Sequence, residues 1–187
     1  MRVFIAIEIP EAIKKEMSRF QNKMMNTVNK IKWVNHDSMH VTLRFLGEIK
    51  EEKLNEVFES VEKITIERNP FSIKIKGAGA FPDKGNPRVI WMGIKEGFVE
   101  LAQMAKDLEK KLSEQGFPRE EKKWIPHITL GRVKQLKDKE IIKKLITEEK
   151  NRLGGKAKVE EVTVMRSHLT PRGAIYSSLQ RFSLRGE

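Results

Sequence analysis

His40-Val41-Thr42-Leu43-Arg44-Phe45-Leu46-Gly47 and, starting at His127, His127-Ile128-Thr129-Leu130-Gly131-Arg132 are two copies of one short pattern: histidine, β-branched residue, threonine, leucine. Side chains on a strand alternate between faces, so His40 and Thr42 share one face while Val41 and Leu43 take the other. His127 and Thr129 repeat that arrangement, with Ile128 and Leu130 opposite. A lone histidine in a strand is ordinarily a satisfied polar residue. The same pattern twice asks for a common explanation.

The flanking sequence repeats too. From Val3, which opens the apolar run VFIAI, to His40 is 37 positions, and from Val89, which opens VIWMGI, to His127 is 38. His40 to Phe71 and His127 to Lys158 are both 31 positions. Landmarks recurring in one order at a period of about 87 residues describe a tandem duplication. Repeat 1 covers about 1–87 and repeat 2 about 88–187. No linker long enough to separate them interrupts the chain, so the expectation is a single domain of two intertwined lobes.

Each repeat alternates strand and helix patterns. After VFIAI, the residues Ile13, Met17, Phe20, Met24, Val28 and Ile31 follow at steps of three and four, predicting an amphipathic helix. Leu54, Val57, Phe58, Val61 and Ile64 predict a second, and Phe98, Leu101, Ala105, Leu108 and Leu112 a third. Ile141, Ile142, Leu145 and Ile146 predict a short fourth. FSIKIKGAGAF (71–81) alternates with period two, and residues 158–166 and 174–184 read as the last strands. Gly154-Gly155 reads as a turn ahead of them. The fold class is α+β, with two similar lobes related by a pseudo-two-fold axis.

Composition narrows the chemistry. The chain has 187 residues, with 37 Lys and Arg against 26 Asp and Glu, a formal net charge of +11. That excess points to a polyanionic partner such as nucleic acid. A chain rich in both Lys and Glu also fits an ion-paired, heat-adapted surface, and composition alone does not choose. There is no cysteine, which excludes disulfides, thiolate nucleophiles and Cys-based metal centres. No apolar run approaches the ~18 residues of a membrane span, and MRVFIAIEIP is too short and too soon acidic for a signal peptide. The expectation is a soluble, cytoplasmic protein with no membrane association.

A two-fold relation can set both His-Thr faces across one cleft, giving two imidazoles and two hydroxyls. Imidazole has an ordinary pKa near 6.5, so one ring can serve as base while the other serves as acid. Hydroxyls donate hydrogen bonds to phosphoryl oxygens. In-line displacement at phosphorus needs a base on the attacking oxygen and an acid on the departing one, on opposite sides. Metal ligation is the weaker reading, because Thr rarely ligates zinc and no Asp or Glu adjoins either motif. GAGAF lacks the spacing of a phosphate-cradling loop, so no nucleotide cofactor is indicated.

The whole chain resembles RNA 2′,3′-cyclic phosphodiesterases, historically called 2′-5′ RNA ligases, of the two-histidine phosphoesterase superfamily. RVFIAIEIP, HVTLRFLGE preceded by Trp33-Val34, GAFPDKGNPRVIWMGI, WIPHITLGR and RSHLTPRGAIYSSLQRFSL carry the resemblance. It implies two curved antiparallel sheets lining a central cleft, with helices outside. It also implies metal-independent, cofactor-free opening of a terminal RNA 2′,3′-cyclic phosphate to a 2′-phosphate. Under the resemblance His40 protonates the departing O3′, His127 activates water, and Thr42, Thr129 and Arg132 bind the phosphoryl oxygens. The acid and base labels can be exchanged, since ligation runs the same chemistry backwards.

Strict alternation would point Arg132 away from the histidine face, unless Gly131 marks a bulge that re-aims it. By the same parity Arg44 faces the cleft as a second phosphate-binding candidate, and Phe45, the counterpart of Arg132, packs in the core. His36 reads as a loop residue, His168 as a surface residue, and Trp33, Trp91 and Trp124 as core, with Trp124 a candidate for base stacking. Tyr176 either lines the cleft or packs. Expected partners are RNA ends, transfer-RNA fragments among them, or small cyclic nucleotides, met by a monomer. Two other readings stand beside hydrolysis: 2′-5′ ligation of cyclic-phosphate and 5′-OH RNA ends, and RNA binding without catalysis.

Overall fold

VFIAI is apolar on both faces, and a strand of that kind belongs inside a sheet. It forms the centre of β1 (Arg2–Glu8), with Val3 through Ile7 all buried. The computed structural model describes residues 1–28, 30–120, 123–135, 139–171 and 173–186. The other strands are β2 (Ile31–Trp33), β3 (His40–Glu48), β4 (Phe71–Phe81), β5 (Val89–Glu96), β6 (His127–Val133), β7 (Leu153–Val159), β8 (Glu161–Thr170) and β9 (Gly173–Ser183). The helices are α1 (Glu11–Met25), α2 (Leu54–Ile66), α3 (Phe98–Glu114) and α4 (Lys139–Glu148).

All pairings are antiparallel and run in the order β7-β4-β5-β6-β3-β1-β8-β9, with β2 added alongside β6. The order mirrors itself about the β6–β3 junction. From either histidine strand outward come the opening strand of that repeat (β5 or β1) and then a strand from the other repeat (β4 or β8). The junction is a single pairing, Val41 with Ile128. The two sheets expected from the sequence are therefore continuous there and diverge on either side of it.

The helices cover one face of this curled sheet. Met17, Phe20 and Met24 of α1, Val57, Val61 and Ile64 of α2, and Leu101, Met104, Leu108 and Leu112 of α3 meet Val41, Leu43, Ile128 and Leu130 in one buried cluster. Each such side chain contributes roughly 1.5–3 kcal/mol by leaving water. On the opposite face, Phe4, Ala6 and Met165 form a smaller cluster with Tyr176 against it. Most of the apolar pattern thus fixes the scaffold, and the small second cluster floors the cleft.

Two local expectations are corrected. Ile31 does not continue the first helix: α1 ends at Met25, and Ile31 begins β2 beside Val133. Its spacing fitted a helical stripe, but pairing with β6 decides its conformation. Residues 158–166 are not one strand, and Gly154-Gly155 is not a turn: both glycines lie inside β7, and β8 starts afresh at Glu161. A Cβ on Gly154 would come within 2.5 Å of Ile75 Cγ2, and Gly155 holds φ 111° with Ile13 Cδ1 2.5 Å from where its Cβ would be. These glycines let β7 press against α1 and β4.

Candidate active site

Val41 and Ile128, the paired residues at the junction, point toward the helices and are fully buried. The alternating neighbours His40, Thr42, His127 and Thr129 therefore point to the other face, and all four are half-buried. In the antiparallel register the position of His40 flanks that of Thr129, and Thr42 flanks His127. Thus one pairing brings both motifs together.

Each imidazole is held by its own backbone. His40 Nδ1 bonds the Ser38 carbonyl at 2.8 Å, and His127 Nδ1 bonds the Ile125 carbonyl at 2.7 Å. A carbonyl only accepts, so Nδ1–H must donate, and in the neutral ring Nε2 is left as the base. At His40 the Thr42 hydroxyl donates to Nε2 at 2.9 Å. Aromatic rings hold the imidazoles from the sides: Phe4 and Tyr176 lie 4.8 and 5.3 Å from His40, Phe81 and Trp91 5.0 and 6.1 Å from His127. The Trp124 indole N–H donates to the Thr42 carbonyl at 3.1 Å, fixing the first motif against the second. Trp124 therefore acts as a brace, and Trp91 stands beside a catalytic candidate.

Burial lowers the pKa of both histidines below the usual imidazole value, against the pull of their backbone carbonyl bonds. The charge of His127 lowers His40 further while Glu8 opposes it, and Arg132 lowers His127 further. For Tyr176 burial raises the phenol above its ordinary value.

A cavity of about 140 Å³ lies against this face, lined by Phe4, Val34, Ser38, His40, Thr42, Phe45, Thr129, Arg132 and Tyr176. His127 is outside that enclosed lining, one face-sharing position from Thr129. A larger hollow of about 570 Å³ beyond the end of β1 is lined by Glu8, Glu160 and Glu161 with a single Lys158 and no histidine. Its carboxylates disfavour a phosphate, so the smaller cavity is the chemically apt one. Among the described residues no three His, Asp or Glu converge as metal ligands.

Arg132 reaches the cavity because β6 carries a bulge. Ile90 pairs with Gly131 but Trp91 pairs with Thr129, leaving Leu130 as an extra residue. The same slip occurs in the first motif, where Ile5 pairs with Arg44, Ala6 with Thr42, and Leu43 is extra. Beyond each bulge the parity reverses. Phe45 consequently lines the cavity at 39% exposure, stacked 6.1 Å from Phe4 with the Arg2 guanidinium 4.9 Å over it. Arg44 turns to the helix side, 8% exposed, and pairs with Glu109 at 2.5 Å and Glu120 at 3.7 Å. Both parity expectations for Arg44 and Phe45 are corrected by this bulge. His36 opens a one-turn helix and bonds Glu11 at 3.0 Å, and His168 is exposed on β8.

Gly131 permits the bulge beside β2. A Cβ there would sit 2.7 Å from Ile31 Cγ2 and 2.8 Å from Trp33 Cε3. Gly131→Val is expected to destabilise by about 1–3 kcal/mol through overpacking and to displace Arg132. A denaturant melt with parallel phosphate-binding measurements checks it; unchanged binding would disconnect Gly131 from the aim of Arg132.

The LigT-like phosphoesterase family matches residues 7–91 and 94–176. The RNA 2′,3′-cyclic phosphodiesterase of Thermotoga maritima is 39% identical over 186 residues, covering 100% of this chain and 97% of its own. That of Methanocaldococcus jannaschii is 36% identical, covering 97% of this chain and all of its own. A crystal structure from Thermus thermophilus superposes with TM-score 0.84 at 32% identity over the full length of both chains. Escherichia coli LigT complexed with 3′-AMP, 24% identical, shares the fold with TM-score 0.80 over 98% of this chain and 97% of its own.

Proposed function

This chain belongs to the LigT-like phosphoesterase family, and from that premise we propose that it opens terminal 2′,3′-cyclic phosphates on RNA to 2′-phosphates, using His40 and His127 without a metal ion. The observation that carries the reading is the matched pair of imidazoles, each with Nδ1 committed to a backbone carbonyl and Nε2 left to move a proton. The relatives' activity, as their names state it, supplies the substrate class.

In the proposed cycle His127 Nε2 takes a proton from water, and the water oxygen forms a bond to phosphorus. The P–O3′ bond breaks in line, and protonated His40 gives its Nε2 proton to O3′, leaving a 3′-OH and a 2′-phosphate. Thr42, Thr129 and Arg132 hold the non-bridging oxygens as charge develops there. Burial is the largest influence on both rings and disfavours an imidazolium at either; among the smaller charge effects Arg132 disfavours one at 127, and at 40 Glu8 favours one against His127 and Lys14. When His40 carries the proton, the Thr42 hydroxyl turns from donor to acceptor without moving.

The pH dependence follows from the two lowered pKa values. One ring must be neutral and the other protonated, so kcat/KM traces a bell set by the free enzyme. Both limbs are expected below the ordinary imidazole value, with rate rising as pH falls from 8 toward 6 before it declines. A maximum above pH 7.5 would contradict burial as the controlling influence.

The deciding assay supplies a short RNA with a 2′,3′-cyclic phosphate and a second RNA with a 5′-OH, with and without chelator. A 2′-phosphate product at an unchanged rate in chelator is expected. A 3′-phosphate product would overturn the O3′ leaving group, predominant joining would make ligation the main direction, and no turnover would reject the enzyme reading.

A further inference from the structure

The β2–β6 ladder carries an arrangement that the catalytic reading does not use. Lys32 pairs directly with Arg132, and the Lys134 N–H donates to the Lys30 carbonyl at 2.8 Å, continuing the same register. Residues directly opposite, and those two apart, share a face. Lys32 therefore stands on the face of Arg132, which lines the cavity, and Lys30 and Lys134 face each other just beyond the shared end of the two strands. All four are exposed.

Like charges directly opposite each other destabilise a sheet, and here there are two such pairs in succession. Among the described residues no carboxylate lies within ion-pairing distance of these four cations. Several lysines elsewhere do have a carboxylate partner: Lys53 pairs with Glu56, Lys111 with Glu114, and Lys143 with Glu140. Among the described residues these cations thus stand without a neutralising carboxylate beside the one that lines the cavity. Lys30 also holds φ 84°, an uncommon conformation for a lysine. The side chain of Lys32 reaches toward the start of β9, its Nζ 3.8 Å from where a Cβ on Gly173 would stand.

We propose that Lys30, Lys32 and Lys134 form a track for the phosphodiester backbone of the RNA strand leading to the reacting end. The two cation pairs lie two residues apart along the ladder, roughly 7 Å, which suits successive phosphates of an extended single strand. Arg132 sits where the track enters the cavity and takes the terminal phosphate. The inference rests on the phosphodiesterase reading for its substrate and adds where the rest of the strand lies.

The test compares wild type with the combined Lys30→Gln, Lys32→Gln, Lys134→Gln variant on two substrates. One is a mononucleoside 2′,3′-cyclic phosphate, the other an RNA of several nucleotides ending in the same group. Turnover of the mononucleoside should stay within two-fold. On the RNA, kcat/KM should fall by about 10-fold near physiological salt, and its log–log salt slope should shrink by about 2, at about 0.7 for each single-strand phosphate. The melting temperature should hold or rise as like-charge pairs are relieved.

Equal kcat/KM on the RNA overturns the track and leaves the phosphodiesterase reading intact. Equal losses on both substrates also overturn it, since the lysines then act within the cavity or on the fold. If wild type cleaves neither substrate, that reading fails, and the track is judged by binding of RNA against poly-glutamate. Tight RNA binding lost in the variant supports it; equal binding of poly-glutamate rejects RNA as the partner.

Discussion

Replacing either His40 or His127 by Ala is expected to lower turnover of a 2′,3′-cyclic phosphate end by about 10²–10⁴-fold while the chain stays folded. The expectation comes from geometry, because each ring is held at Nδ1 by a backbone carbonyl and framed by aromatic side chains. Removing a ring costs two hydrogen bonds at His40 or one at His127, with some packing, about 1–2 kcal/mol of stability. The double variant should be little slower than the worse single one, since the two proton transfers serve one displacement. A leaving group separates the roles. On a phosphodiester of an acidic phenol the departing oxygen needs no proton, so His40→Ala should lose much less there, whereas His127→Ala should lose as much as before. The reverse pattern would exchange acid and base, and near-normal turnover by both variants would remove the histidines from the mechanism.

The sequence made this pairing legible because the information is local and doubled. Alternation within each motif assigns the faces, and repetition at one spacing says that two such strands exist. The strand in β1 was equally readable, since an unbroken apolar run has nowhere to lie except inside. What local pattern could not reveal was the pair of bulges at Leu43 and Leu130. A bulge depends on how a partner strand and the helices behind it accept one extra residue, and neither is visible in the period of the strand itself. The same blindness explains Ile31, whose conformation is decided by β6, and Gly154, whose reason is the approach of Ile75 and Met17. Gly131 was the available clue: a glycine directly after the second motif marked a close approach. The first motif has Arg44 in that place and gave no such signal.

The bulges lead to the second large effect, a reversal of roles between two arginines that look alike in sequence. Arg132→Ala is expected to leave stability nearly unchanged, because the side chain is exposed and paired with no described carboxylate. Activity should fall by about 10²-fold with the loss of a charged donor to the phosphoryl group. Arg44→Ala should do the opposite. Its guanidinium is buried between Glu109 and Glu120 and also bonds the carbonyls of Pro118 and Phe45. Its loss leaves Glu109 and two backbone acceptors uncompensated, at about 2 kcal/mol after allowance for the partial exposure of both carboxylates. The folded fraction should keep its kcat, since Arg44 points away from the cavity. Denaturant melts paired with kcat on folded protein decide the matter. If Arg44→Ala lost activity without stability, the β3 bulge would be misplaced and parity would return Arg44 to the cleft. If Arg132→Ala kept full activity, the phosphate would rest on the threonines alone.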